Sequence, residues 1–231
     1  MLLLAADTSG RDGSIGLSQG EADGICELLE SKRLDGGAFS AQLVPQIAAL
    51  LARRGFGKKD IGGFVVVSGP GSFTGLRVGL AAIKALAEVL AKPIAAVSLL
   101  EAIAMASGLK GTVTAALDAG RQQVYVGEYQ ISSGSACRIN ESLVTREEFL
   151  HLLPAANIVT PSSELAELTE GAGIHPQVIA APDLRSIAAL GWRKMLAGEI
   201  LLPEDLEANY ISRTHVEVPS TGAARDVHGS E

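Results

Sequence analysis

Two stretches far apart in the chain follow one plan. Leu4-Ala5-Ala6-Asp7-Thr8-Ser9-Gly10-Arg11 and Ala115-Ala116-Leu117-Asp118-Ala119-Gly120-Arg121 each run from an apolar strand into an aspartate, a small-residue turn and a Gly-Arg pair. A second strand follows each. It is Ser14-Ile15-Gly16-Leu17 in the first case and residues 123–130 in the second, where Val124, Val126 and Glu128 alternate with Tyr125, Gly127 and Tyr129. A repeated strand, turn and hairpin points to two related α/β halves meeting near residues 100–111.

The intervening elements fit that plan. Residues 24–29 read as a third strand. Residues 39–53 read as a helix, with Phe39, Leu43, Ile47 and Leu50 along one side. Pro45 is expected to start or kink it. Residues 61–68 form a strand, 75–90 a helix, 93–97 a strand and 98–107 a helix. In the second half, short elements follow the hairpin: a helix at 146–153, a strand near Ile158, and helices at 162–170 and 182–197. The reading gives an N-terminal lobe at 1–105, a C-terminal lobe at 106–213, and a disordered tail at 214–231 whose polar sequence lacks apolar periodicity.

Between strand and helix in the first half lies Ser68-Gly69-Pro70-Gly71-Ser72-Phe73-Thr74-Gly75-Leu76-Arg77. A glycine loop that runs into a helix can bind an anion, because free N–H groups and the positive helix end converge there. The standard templates all miss. A Walker loop needs a lysine after its last glycine, a dinucleotide fingerprint needs a glycine where Thr74 stands, and a nucleophile elbow needs a residue between Gly71 and Ser72. The competing reading is a plain turn, with glycine for conformation and hydroxyls for capping. Asp7 and Asp118 carry the same choice: turn caps, or carboxylates facing a shared phosphate and metal cleft.

Composition narrows the classes. The chain has 231 residues, 47% of them hydrophobic and 19% charged, an apolar balance that suggests surface buried beyond its own core. Residues 76–109 are too often interrupted by charges and proline to span a bilayer, and residues 1–7 read as a strand rather than a signal peptide. A net charge of -7 argues against a stand-alone nucleic-acid binder. The basic cluster Arg53, Arg54, Lys58 and Lys59 reads as cations at a helix end and in a solvated loop. Cys26 and Cys137 have no metal or redox spacing, which suits a reduced, cytoplasmic protein.

Taken together, Asp7-Thr8-Ser9, the segment from Ser68 to Gly79, and Leu117-Asp118-Ala119-Gly120-Arg121 with Val124-Tyr125 resemble the bacterial TsaB (YeaZ-type) family. Asn209-Tyr210-Ile211-Ser212-Arg213 resembles its closing segment. The resemblance implies a two-lobed actin-like and sugar-kinase-like ATPase fold (ASKHA) in degenerate form, with a reduced second lobe. It implies a subunit of the machinery that makes threonylcarbamoyladenosine at position 37 of tRNA. The partners would be a catalytic TsaD-type subunit and a TsaE-type ATPase, with a homodimer when alone, tRNA contact only through the complex, and no membrane. No cofactor would be intrinsic; ATP or ADP with Mg would belong to the assembled complex.

TsaD-type paralogues hold metal with a His-x-x-x-His pair. Here His151, His175, His215 and His228 have no such spacing, and Phe39 stands where many TsaB members carry a histidine before the serine. No catalytic residue or metal ligand is therefore expected, although relatives carry M22 peptidase-type names. Candidate nucleotide or phosphate contacts are Asp7, Thr8, Ser9, Gly71, Ser72, Thr74 and Asp118. The helix at 75–90 is apolar nearly all round, so burial on more than one side is expected. Gly79 and Ala82 would admit a second helix. The expected partner interface is Phe39, Leu43, Ile47, Arg77, Leu80, Ala82, Ile83 and Leu86. The alternative reading is a small ATP-binding kinase or ATPase of the same fold.

Overall fold

The computed structural model describes residues 1–152 and 157–211. The expected disordered tail, His215 and His228 lie outside these residues. The first half runs β1 (Leu2–Asp7), β2 (Gly13–Gly20), β3 (Cys26–Leu34), α1 (Phe39–Arg53), β4 (Ile61–Gly69), α2 (Phe73–Leu90), β5 (Ile94–Ser98) and α3 (Leu99–Ala106). The second runs β6 (Gly111–Gly120), β7 (Gln123–Ser132), β8 (Ser135–Thr145), α4 (Arg146–Leu152), β9 (Ile158–Thr160), α5 (Ser163–Gly171), β10 (Gln177–Val178) and α6 (Leu184–Leu196). The order of strands and helices is identical in the two halves. So is the sheet order: β3-β2-β1-β4-β5 in one and β8-β7-β6-β9-β10 in the other. In each, the first strand pairs antiparallel with the second and parallel with the fourth. The duplication expected from the two aspartate turns is therefore present throughout.

Strand alternation fixes which residues meet which helix. On β1, Leu2, Leu4 and Ala6 face α1 and α2, where Leu43, Ile47, Leu50, Leu76, Leu80 and Ile83 complete one core. Leu3 and Ala5 face the other way, against Leu184, Ile187, Ala188 and Trp192 of α6. The last helix of the second half thus covers the first sheet. Reciprocally, Leu100, Ile103 and Ala104 of α3 pack on Val113, Ala115 and Tyr129 of the second sheet. The segment after α6 also returns to the first lobe: Leu201 bridges to Ile94, and Leu206 enters the α1–α2 core. The expected lobe boundary at 105/106 is corrected accordingly. Each lobe is discontinuous, because each sheet needs the other half's final helix to cover its second face.

Several local bounds also differ. The helix expected at 75–90 begins at Phe73, because Ser72 caps it by accepting from the Gly75 N–H at 3.2 Å. Pro45 lies inside α1, which starts six residues earlier at Phe39. β3 extends to Leu34, and β8 and β10 were not expected at all. β3 and β8 are edge strands with one mostly exposed row, so they lack the apolar alternation of a buried strand. Among the described residues, no helix is long and apolar enough to cross a membrane.

Candidate functional site

β1 and β4 are adjacent and parallel, so their carboxyl ends deliver the Asp7 turn and the glycine loop side by side. Asp7 Oδ1 accepts from the Ser9 N–H at 2.8 Å and from Ser9 Oγ at 2.6 Å, closing the turn. The loop then docks on it: the Ser72 N–H donates to the Ser9 carbonyl at 2.7 Å. A Cβ at Gly71 would lie 2.4 Å from the Ser9 carbonyl oxygen, and one at Gly75 2.2 Å from that of Thr8. These glycines therefore let loop and helix press onto the aspartate turn of their own lobe. Gly79 faces Thr8 Oγ1 in the same way, rather than a second helix.

β6 delivers the matching turn. Asp118 Oδ2 accepts from the Gly120 N–H at 3.3 Å, and Oδ1 lies 3.2 Å from Arg146 Nη2. Arg146, at the start of α4, also pairs with Glu164 at 2.7 Å. The carboxylates of Glu164 and Asp118 push the Arg146 pKa up further. Both aspartate turns border a cleft of about 650 Å³, together with Leu99, Tyr125 and Pro182. The structure thus brings together Asp7, Ser9, Gly71, Ser72 and Asp118 of the expected phosphate contacts. Thr8 is corrected: it is buried beneath α2 and does not line the cleft. Thr74 is corrected too, since it is exposed on the first turn of α2 and outside the cleft lining. Neither Arg146 nor Glu164 was expected, because residues 28 and 46 positions away carry no local signal for Asp118.

Asp118 is already neutralised by Arg146, and Asp7 Oδ1 is engaged by Ser9. Among the described residues no group of three or more His, Cys, Asp or Glu side chains could hold a metal ion.

The outer side of α1 and α2 is a second candidate site. Phe39, Leu43, Ile47, Leu80 and Ile83, expected at the partner interface, are core residues of this lobe. The lobe's own sheet claims them, which corrects that assignment. Ala82 and Leu86 are half-buried against the same core, and Arg77 is exposed. What the two helices turn outward is nonetheless largely apolar, with Ser40, Arg53, Thr74, Arg77 and Glu88 as its exposed polar residues. Ala41, Val44, Pro45 and Ala48 are exposed on α1, as are Phe73, Ala81, Ala85 and Val89 on α2. At one end Arg77 stacks over the Phe73 ring at 3.7 Å, and its Nε donates to Tyr210 Oη at 2.9 Å. The Tyr210 and Phe73 rings are 5.4 Å apart. Tyr210 was not expected here, since nothing in its sequence neighbourhood signals a contact 133 residues away.

The duplicated lobes, with an aspartate turn from each bordering one cleft, define the two-lobed actin-like α/β class. The ethanolamine utilization protein EutJ from Carboxydothermus hydrogenoformans shares the fold, with a TM-score of 0.50 at 11% identity over 83% of this chain and 90% of that one. YeaZ from Pseudomonas aeruginosa is nearer, with a TM-score of 0.72 at 25% identity over 91% of this chain and 99% of that structure. Residues 36–188 match the family described as TsaD: tRNA N6-adenosine threonylcarbamoyltransferase. The tRNA threonylcarbamoyladenosine biosynthesis protein TsaB of Escherichia coli is 30% identical over 88% of this chain and 82% of its own length. Its Bacillus subtilis counterpart is 38% identical over 58% of this chain. That match spans 57% of the Bacillus protein, under two thirds of its length. The chain belongs to the TsaB (YeaZ-type) family.

Proposed function

We propose that this chain is a non-catalytic, cytoplasmic subunit of the machinery that makes threonylcarbamoyladenosine in tRNA, and that it supports a TsaD-type catalytic subunit. The observation that carries the partner role is the outward face of α1 and α2. Two adjacent helices expose Val44, Phe73 and Val89, each more than half exposed, among small apolar residues. An isolated globular chain gains nothing from that pattern, whereas a helical partner would remove it from water. The Phe73–Arg77–Tyr210 cluster supplies the residue types that dominate binding energy at protein interfaces. The non-catalytic reading rests on Asp118 being paired with Arg146 and on the glycine loop being packed against Thr8 and Ser9. A TsaE-type ATPase and ATP or ADP with Mg would join at the assembled complex, and the chain alone would pair with itself through the same face. Contact with tRNA would come through the complex.

Depletion of the protein followed by mass spectrometry of tRNA nucleosides tests this. Threonylcarbamoyladenosine should fall; unchanged levels would defeat the proposal. A second reading, a small ATP-using enzyme, is favoured by one observation: Asp7, Ser9, Gly71, Ser72 and Asp118 share a cleft. Titration calorimetry with Mg-ATP separates the two, since micromolar binding with turnover would promote the enzyme reading.

A further inference from the structure

The segment from Leu201 to Ile211 crosses the first lobe as a strap. Leu201 exchanges backbone hydrogen bonds with Ile94 at 3.2 and 2.8 Å. Lys84 Nζ of α2 donates to the Glu204 carbonyl at 3.0 Å, and Leu206 is buried beneath α2. The Asn209 N–H donates to the Ser68 carbonyl at 2.8 Å. The next residue, Tyr210, completes the cluster with Phe73 and Arg77 on the outward face.

Asn209 has a second attachment, and it comes from the other lobe. Its Nδ2 donates to Glu141 Oε2 at 2.6 Å. Glu141 lies on β8 of the second sheet, and its side chain is only 5% exposed. Its other oxygen accepts from Ser98 Oγ, at the end of β5, at 2.5 Å, and from the Tyr129 hydroxyl. Arg138, mostly exposed, stands 3.5 Å from Oε2. A carboxylate this buried must be met by donors, and losing one leaves part of its charge unsatisfied. The strap supplies one of those donors through Asn209, one residue before the tyrosine at the outward face.

We propose that Glu141 and Asn209 are positioning residues for that face: the clasp between them holds the strap so that Tyr210 meets Arg77 and Phe73. The carboxylate of the second lobe thereby sets the anchor that the first lobe offers to a partner. This rests on reading the α1–α2 face as the surface for the TsaD-type subunit.

The test exchanges donor and acceptor in the full chain. Asn209→Asp sets two carboxylates against each other and should release the strap. The paired change Asn209→Asp with Glu141→Gln restores one donor facing one acceptor, while the glutamine oxygen can still accept from Ser98 and Tyr129. Amide exchange across residues 206–211 should rise at least about tenfold in Asn209→Asp and return towards wild type in the paired variant. Affinity for the TsaD-type subunit, by calorimetry, should fall about tenfold and recover in the same order. Tyr210→Ala should weaken binding comparably, and adding Asn209→Asp to it should weaken it no further. Unchanged exchange in Asn209→Asp, absence of rescue, or fully additive losses would overturn the proposal. If the wild-type chain fails to bind that subunit, the partner reading fails instead, and exchange in the isolated chain still decides whether the clasp holds the strap.

Discussion

Replacing Gly75 with alanine sets two opposing effects against each other. In a helix, alanine is favoured over glycine by at most about 1 kcal/mol. Here, however, the new Cβ would lie 2.2 Å from the Thr8 carbonyl oxygen, with the Phe39 ring at 3.2 Å and Ser72 Oγ at 3.3 Å. Reaching an ordinary contact requires a shift of roughly 1 Å between α2 and the Asp7 turn. Neither side can yield easily. Leu76 and Ile83 hold α2 in a core where they are 2% and 0% exposed, and Thr8 is 1% exposed. Overpacking of this kind costs about 1–3 kcal/mol. Displacement of α2 also strains the Ser72 cap, worth about 1 kcal/mol. The net expectation is a loss of about 2 kcal/mol, or roughly 0.7 M in urea midpoint for a slope near 3 kcal/mol/M. Ala81→Gly is the counterpart on the exposed side of α2, where only backbone entropy acts, and it should cost about 1 kcal/mol. Opposite substitutions on one helix are thus both expected to destabilise. A Gly75→Ala variant as stable as wild type in urea unfolding would refute the close docking of α2 on the aspartate turn.

Other outcomes follow from the same contacts. Ser72→Ala removes the side-chain acceptor for the Gly75 N–H and should cost about 1 kcal/mol by chemical denaturation. Lys194→Met leaves Glu101 without the ammonium 3.0 Å from its carboxylate and should cost about 3 kcal/mol at pH 7.5, the lower end for a broken buried pair because Glu199 shares that lysine. Burial already pushes the Glu101 pKa up, so the folded state holds its proton more tightly than the unfolded chain. Losing the ammonium pushes that pKa up further, so the penalty is fully present where Glu101 is ionised in both folded proteins and is lost as pH falls and both become protonated. Melting at pH 5 should show a smaller deficit than at pH 7.5, and equal deficits would contradict this. Ala81→Glu and Ala85→Glu place charge on exposed helix positions. They should leave the melting temperature within a few degrees of wild type and abolish co-purification with the TsaD-type subunit; retained pairing would remove α2 from the interface.

The two aspartate turns revealed the fold because duplication leaves its trace in strand ends, where residue choice is narrow. Periodicity placed α1 at its observed bounds, since Phe39, Leu43, Ile47 and Leu50 all face one core. It could not decide which side of α2 met its own sheet. Leu80 and Ile83 are as apolar as any interface residue, and only tertiary packing assigns them inward. The glycine loop left two readings open for a related reason. Gly71 and Gly75 are required by close backbone approach, and sequence alone does not distinguish an approaching carbonyl from an approaching phosphate. Asp118–Arg146 and Glu141–Asn209 were invisible because pairs across strands and lobes have no fixed spacing. β8 was missed because an edge strand needs no apolar row on its exposed side.

The exchange of final helices bears on how this chain folds. A polypeptide ending after α3 would leave Leu3, Ala5, Val65 and Val67 of the first sheet only partly covered, by Ala102 and its neighbours, because Ile187, Ala188 and Trp192 arrive some 80 residues later. The second half made alone would lack Leu100 and Ile103 for its own sheet. Neither half can complete its core until almost the whole chain has been synthesised, so folding must wait for contacts of long sequence separation. The nascent first half is consequently the period of greatest exposure to aggregation. Made as two separate polypeptides, the halves should become ordered only on mixing, each acting as the other's template.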